Sequence, residues 1–104
     1  MAEPTSDQLR VRLVTPERTL FEADASTVEL PAKNGYMEVL YGHAPLMAVL
    51  GAGDVRIHQG GGIESSSPET TRYNVSWGFV EVLPNRVTIR LRCAQARGDR
   101  RDPC

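Results

Sequence analysis

The residues of this chain with the capacity for chemistry are two histidines, a run of three serines, two cysteines and two glycine clusters. His43 lies in Leu40-Tyr41-Gly42-His43-Ala44-Pro45, and His58 follows Arg56 in a strand-like run. Neither has metal-binding company, because no HxH or HxxxH spacing occurs. Ser65, Ser66 and Ser67 sit in a polar, glycine-rich stretch, and no Gly-x-Ser-x-Gly elbow holds a nucleophile. Gly51-Ala52-Gly53 and Gly60-Gly61-Gly62 resemble phosphate loops only until their context is read. A phosphate loop needs a helix N-terminus after it, and here strand or loop follows each. Cys93 borders a strand end and reads as structural. The expectation is therefore no catalytic residue, no cofactor and no metal.

The frame around these residues is narrow. One hundred and four residues make one domain. With 40% hydrophobic and 24% charged residues, the chain has the composition of a folded protein that needs no disulfide or metal staple. The longest uncharged run, Val39 to Gly53, is too short and too broken by Gly42 and Pro45 to span a bilayer. Residues 1–7 have neither a basic start nor an apolar run, so no secretory signal is expected. Cys93 and Cys104 are too few for a disulfide framework, which fits a reducing compartment.

The net charge of −1 averages two unlike parts. Residues 1–89 carry seven basic and eleven acidic side chains, whereas residues 90–104 carry five arginines against Asp99 and Asp102. An acidic body with a basic end argues against a nucleic-acid binder, which places its basic stripe on the folded surface. Eleven of the twelve basic residues are arginine, which reads as a coding bias before it reads as function.

Strands position everything. Leu9, Val11 and Leu13 alternate with Arg10 and Arg12; Val28 and Leu30 flank Glu29; Met37 and Val39 flank Glu38; Val55 and Ile57 flank Arg56. Tyr73, Val75 and Trp77 alternate with Asn74 and Ser76, Val80 and Val82 flank Glu81, and Val87, Ile89 and Leu91 alternate with Thr88 and Arg90. This period of two describes strands with one buried and one wet face. Thr15-Pro16-Glu17-Arg18, Lys33-Asn34-Gly35 and Leu83-Pro84-Asn85-Arg86 supply turns, with Asn34-Gly35 read as the pair of a tight hairpin. Residues 60–69 read as a flexible hairpin loop. The fold class that follows is all-β: about nine short strands at this spacing make an antiparallel β-sandwich or barrel, with a short disordered C-terminal tail. Residues 1–8 form a disordered lead-in, 9–92 the sandwich and 93–104 a basic tail with room for one helical turn before Gly98.

One stretch resists a purely structural account. Val39 to Gly53 runs fifteen residues without charge, through a corner that holds Tyr41, His43 and Pro45. Either both flanking strands are central to the sandwich, or the stretch is a protein–protein interface.

The same corner carries a family resemblance. Gly42-His43-Ala44-Pro45-Leu46, with Asn34-Gly35 before it and Gly53-Asp54-Val55-Arg56-Ile57 after it, resembles the N-terminal domain of the epsilon subunit of F-type ATP synthases. Leu13-Val14-Thr15-Pro16-Glu17 with Leu20-Phe21 is similar to that family's first strand and turn. Val75-Ser76-Trp77-Gly78-Phe79-Val80-Glu81-Val82, then Val87-Thr88-Ile89, is similar to its closing hairpin. The resemblance implies a ten-stranded sandwich at the foot of the rotary central stalk. Such a domain performs no bond chemistry; it holds the gamma subunit and rests on the c-ring, coupling ion-driven rotation to ATP synthesis. It also implies a peripheral position on the cytoplasmic side of the inner (plasma) membrane, no nucleic acid and no homo-oligomer. Carried over by position, Thr15, His43, Ala44, Pro45 and Leu46 would face gamma, and Asn34, Gly35, Tyr36 and Met37 would meet the c-ring. Glu38, Tyr41 and Trp77 depart from the family pattern, which commonly has Gly, Pro and a small residue there. Only thirteen residues follow Leu91, too few for the family's C-terminal helical pair, so coupling without that inhibitory arm is expected. The reading set against this one is a small β-barrel that binds a ligand or nucleic acid, with basic and aromatic side chains sharing one strand face.

Overall fold

The computed structural model describes residues 8–60, 69–92 and 94–96, the last three as backbone. Ten strands follow in order: β1 (Leu9–Val14), β2 (Thr19–Ala25), β3 (Thr27–Ala32), β4 (Gly35–Leu40), β5 (Leu46–Leu50), β6 (Gly53–Gln59), β7 (Glu69–Val75), β8 (Gly78–Leu83), β9 (Arg86–Leu91) and β10 (Ala94–Ala96). They form one strongly curled sheet in the order β10-β7-β6-β3-β5-β8-β9-β1-β2, with β4 paired to β3. The all-β class is the one the alternation predicts, and ten strands is the number the family resemblance implies.

The inward sets are the ones the sequence pattern marks. Leu9, Val11, Leu13, Val28, Leu30, Val39, Val55, Ile57, Val80, Val82, Val87 and Ile89 have no exposed surface. They form one core with Ala25, Leu50, Val75 and Leu91. Every buried side chain here is apolar, so burial costs no unpaired polar group among the described residues. The curl closes where β2 meets β6 and β7. Phe21 packs its ring edge-on against Tyr73 at 6.5 Å, and the Tyr73 hydroxyl donates to the Leu20 carbonyl at 3.1 Å. Gln59 Nε2 donates to the Asp24 carbonyl at 2.9 Å, and the Ser26 backbone N–H and hydroxyl both donate to the His58 carbonyl.

Four details differ from the sequence reading. First, the sheet is mixed, because β1 runs parallel to β9 from Arg10↔Arg86 to Val14↔Arg90. Alternation sets which face a residue takes but carries nothing about strand direction. Second, Ala94–Ala96 pair with β7 as an edge strand where the local sequence allowed a helical turn. A free edge offers those backbone groups partners that local propensity does not register. Third, the β3–β4 loop is Lys33-Asn34, since Ala32 pairs with Gly35. Among the described residues none other than glycine has a positive φ; Gly35 does, at 128°, so the turn lacks the two positive φ values of the Asn-Gly type. Fourth, β7 ends at Val75, and Trp77 stands in the turn, 54% exposed. The expected lead-in at 1–7, most of the loop at 60–69, and residues 93 and 97–104 of the tail lie outside the described residues.

Candidate partner-binding site

The strand registers give the body two ends. At one end lie the corner after Leu40, the Pro84-Asn85 turn and the start of β1, tied by Gly42 N–H to the Pro84 carbonyl at 2.7 Å and Arg10 N–H to the Asn85 carbonyl at 3.0 Å. At the other lie the Lys33-Asn34 turn, the Gly51-Ala52 turn, the Thr15–Arg18 turn and Trp77. Gly51 N–H donates to the Pro31 carbonyl at 2.8 Å, and Lys33 N–H to the Val49 carbonyl at 3.0 Å. β4 connects the hairpin tip to the corner, five strand steps or roughly 17 Å apart.

The corner is built by Gly42, whose φ of 88° suits glycine, followed by a His43 N–H bond to the Leu40 carbonyl at 3.1 Å. His43 Nδ1 lies 2.7 Å from the Ala44 carbonyl, which requires the proton on Nδ1 as donor. Ala44 and Pro45 are exposed, and Tyr41 is half-exposed beside them. Leu46 is different: its side chain leans on the core. The corner therefore presents Tyr41, His43, Ala44 and Pro45, with Leu46 anchoring it from beneath.

The uncharged run resolves into both of its readings. Val39 and Leu50 are fully buried, whereas Leu40, Tyr41, Met47 and Val49 stand about half or more exposed, Met47 at 66%. Met47 and Val49 occupy the outward face of β5, on which a soluble strand ordinarily carries polar residues.

At the hairpin tip, Asn34, Gly35 and Tyr36 reach solvent, while Met37 packs inward. Tyr36 is held in place. Its hydroxyl accepts from the Asp54 N–H at 2.9 Å, and the Arg56 guanidinium lies 5.3 Å from its ring centre. Arg56 also pairs with Glu29 at 2.9 Å, and His58 Nε2 lies 3.7 Å from the same carboxylate. The Arg56 hydrogen bond chiefly holds the Glu29 carboxyl below its ordinary value, with His58 and Arg56 charges adding to it against desolvation.

Thr15 does not join the corner. Its N–H and hydroxyl both donate to the Arg18 carbonyl, at 2.9 and 3.3 Å. The pairings Leu50↔Gly78, Gly78↔Leu91 and Val14↔Arg90 set it at the tip end, whereas Leu46↔Val82 sets the corner at the opposite end. Thr15 instead lines a groove of about 350 Å³ with Trp77, Phe79, Arg90 and Arg92. Neither Trp77 nor Met47 stood out as a surface residue in the sequence. The signal available was an apolar residue at every position of β5, which a strand with one wet face does not have. Among the described residues no group of His, Cys, Asp and Glu is placed to hold a metal ion.

Residues 8–96 match the family model described as ATP synthase, Delta/Epsilon chain, beta-sandwich domain. The chain is 36% identical over 90 residues to the ATP synthase epsilon chain of Koribacter versatilis, covering 86% of this chain and 58% of that protein. It is 38% identical over 91 residues to that of Anoxybacillus flavithermus, covering 88% and 63%. The chain thus spans about three-fifths of the length of these relatives. In shape it is similar to a chain in the mitochondrial ATP synthase of Euglena gracilis (OSCP/F1/c-ring), with a TM-score of 0.76, 21% identity, and coverage of 90% of this chain and 56% of that one. A chain of the Tetrahymena thermophila central stalk and c-ring gives 0.67 at 18% identity, covering 90% and 73%. These two likenesses describe the fold.

Proposed function

The chain belongs to the family of ATP synthase delta/epsilon β-sandwich domains, and from that membership we propose that it serves as a non-catalytic subunit of the rotor. In this reading it links gamma to the c-ring and carries ion-driven rotation toward ATP synthesis, at the cytoplasmic surface of the membrane and peripheral to it. The observation that carries the reading is the corner itself: an uncharged, half-exposed Tyr41, His43, Ala44 and Pro45, braced to the β8–β9 turn by the Gly42–Pro84 hydrogen bond. A rigid apolar projection with no catalytic group beside it is suited to seat a protein partner.

His43, Ala44 and Pro45 are assigned to gamma, with Leu46 supporting them from the core side. Thr15 completes that set only for a partner long enough to reach the other end, roughly 14 Å along the strands and three strand spacings across. Asn34, Gly35 and Tyr36 are assigned to the c-ring, with Met37 fixing the hairpin from within. The test is reconstitution with gamma and the c-ring. His43→Asp should weaken the gamma association while leaving the isolated chain folded, and Tyr36→Asp should weaken c-ring association alone. Unchanged gamma association in His43→Asp, with loss of it in Tyr36→Asp, would overturn the assignment.

A further inference from the structure

The outward face of β5–β8–β9–β1 has a charge distribution that the linear sequence hides. Arg10 and Arg12 of β1 and Arg86 and Arg90 of β9 all point outward, and Arg92 follows at the end of β9. The parallel β1–β9 register places Arg10 beside Arg86 and Arg12 beside Thr88, making a column of arginines two strands wide. Arg10 is tied to Glu22 and Asp24 of β2, but Arg12, Arg86, Arg90 and Arg92 have no carboxylate partner among the described residues. The acids that border this face are Glu81 on β8 and, beyond β1, Glu22 and Asp24 on β2, with Glu22 opposite Arg12 in the register. The opposite face is mixed, with Glu29, Arg56 and His58 interacting locally. The acidic sum over residues 1–89 thus conceals a basic surface, which corrects the expectation that the folded body has none.

Beside the arginine column runs an apolar one. Val49 pairs with Phe79, Met47 lies two residues before Val49, and Trp77 closes the end above Phe79. Each column is two strands wide, and they meet with Phe79 directly across from Arg90, so their centre lines lie about two strand spacings apart, roughly 10 Å. That is the diameter of an α-helix. We propose that this face docks an amphipathic helix of a partner protein, lying along the strands with an apolar edge on Met47, Val49, Phe79 and Trp77 and an acidic edge on Arg12, Arg86 and Arg90.

Charge complementarity selects this occupant. Unpaired exposed arginines attract carboxylates at short range without a burial penalty, and Met47 and Val49 gain by leaving water. Single-stranded nucleic acid is the poorer fit, because a stacking platform needs successive aromatic rings, whereas half of this apolar column is Met47 and Val49, with Trp77 and Phe79 as its two rings beside Arg90 and Arg92. The inference goes beyond the corner and hairpin contacts and does not require them.

The test is a titration of the isotopically labelled full chain, followed by NMR, with a synthetic helical peptide that carries leucine along one stripe and glutamate along the next. Binding should shift the resonances of β5, β8, β9 and β1 and weaken as salt rises. The double variant Arg12→Glu/Arg90→Glu should bind at least about tenfold more weakly, and a peptide with lysine in place of glutamate should bind that variant while failing to bind the parent. Such a swap also shows that the variant is folded. The proposal is overturned if neither peptide binds the parent, if the lysine peptide binds it equally well, or if shifts appear on β3, β4 and β6 instead. It is equally overturned if a single-stranded oligonucleotide or phosphatidylserine vesicles occupy the arginine face more tightly than the glutamate peptide.

Discussion

Tyr36 accepts a hydrogen bond from the Asp54 backbone N–H at 2.9 Å, and this contact binds the β3–β4 hairpin to the start of β6. The residues are eighteen apart in sequence, and Gly53, the first residue of β6, sits against the hairpin at this contact. A Cβ on Gly53 would come within 2.6 Å of the Tyr36 hydroxyl and 2.8 Å of the Pro31 side chain, and its φ of 154° is itself unusual for a residue with a side chain. Tyr36→Phe should therefore destabilise the chain by about 1 kcal/mol, the worth of one net hydrogen bond. Gly53→Ala should cost more, about 2 kcal/mol, because the clash with Pro31 remains even in a Tyr36→Phe background. Urea unfolding of the two variants and the double variant checks both the order and the residual clash.

Gly78 marks a tighter constraint. A Cβ there would stand 2.5 Å from the Arg90 carbonyl oxygen and 2.8 Å from Leu91 Cδ2. The carbonyl belongs to β9, which is held in register with β8 and β1, so it has little freedom to retreat. Gly78→Ala should lower stability by about 2 kcal/mol or more. A thermal melt indistinguishable from the parent would show that the β8–β9 pairing is looser than its geometry implies.

The corner offers a separation of roles. Leu46 packs on the core, so Leu46→Asp is expected to damage the fold before it damages any interface. Tyr41→Asp changes a half-exposed side chain and should leave the melting temperature nearly unchanged while weakening assembly with gamma. If both variants unfold alike, the corner is part of the core and the interface lies elsewhere.

Acid should reveal the Glu29–Arg56 pair. The folded-state pKa of Glu29 is lowered, first by the hydrogen bond from Arg56. Its contribution is therefore fully present above the unfolded carboxylate value of about 4.5 and disappears as pH falls through the folded value. Glu29→Gln should be less stable than the parent at pH 7, and the difference should shrink as the pH is taken well below 4. Both side chains still reach solvent, at 35% and 32% exposure, so the effect is small and falls with added salt. A difference that persists unchanged in acid would assign the loss to packing, not to charge.

Much of this protein was legible in one dimension. The alternation of Leu9, Val11 and Leu13, or of Val87, Ile89 and Leu91, follows from the two-residue repeat of a strand, and it named the core side chains directly. Pro84-Asn85 and Thr15–Arg18 turn where proline and local hydrogen bonding favour turns. The corner motif and its neighbours carried the family resemblance, because a rigid turn depends on local residues such as Gly42 and Pro45.

The arginine face was not legible. Arg10 and Arg12 lie more than seventy residues from Arg86 and Arg90, and the separate tallies for residues 1–89 and 90–104 divided the very column that the fold assembles. Thr15 and His43 were grouped by family position, yet the register carries them to opposite ends of the body. Which side of each strand is buried depends only on the residues within that strand, so it can be read locally. Which strands are neighbours, and in which direction they run, is settled by the folded chain. Those choices rest on how distant side chains pack into one core, and they determine which exposed charges lie side by side.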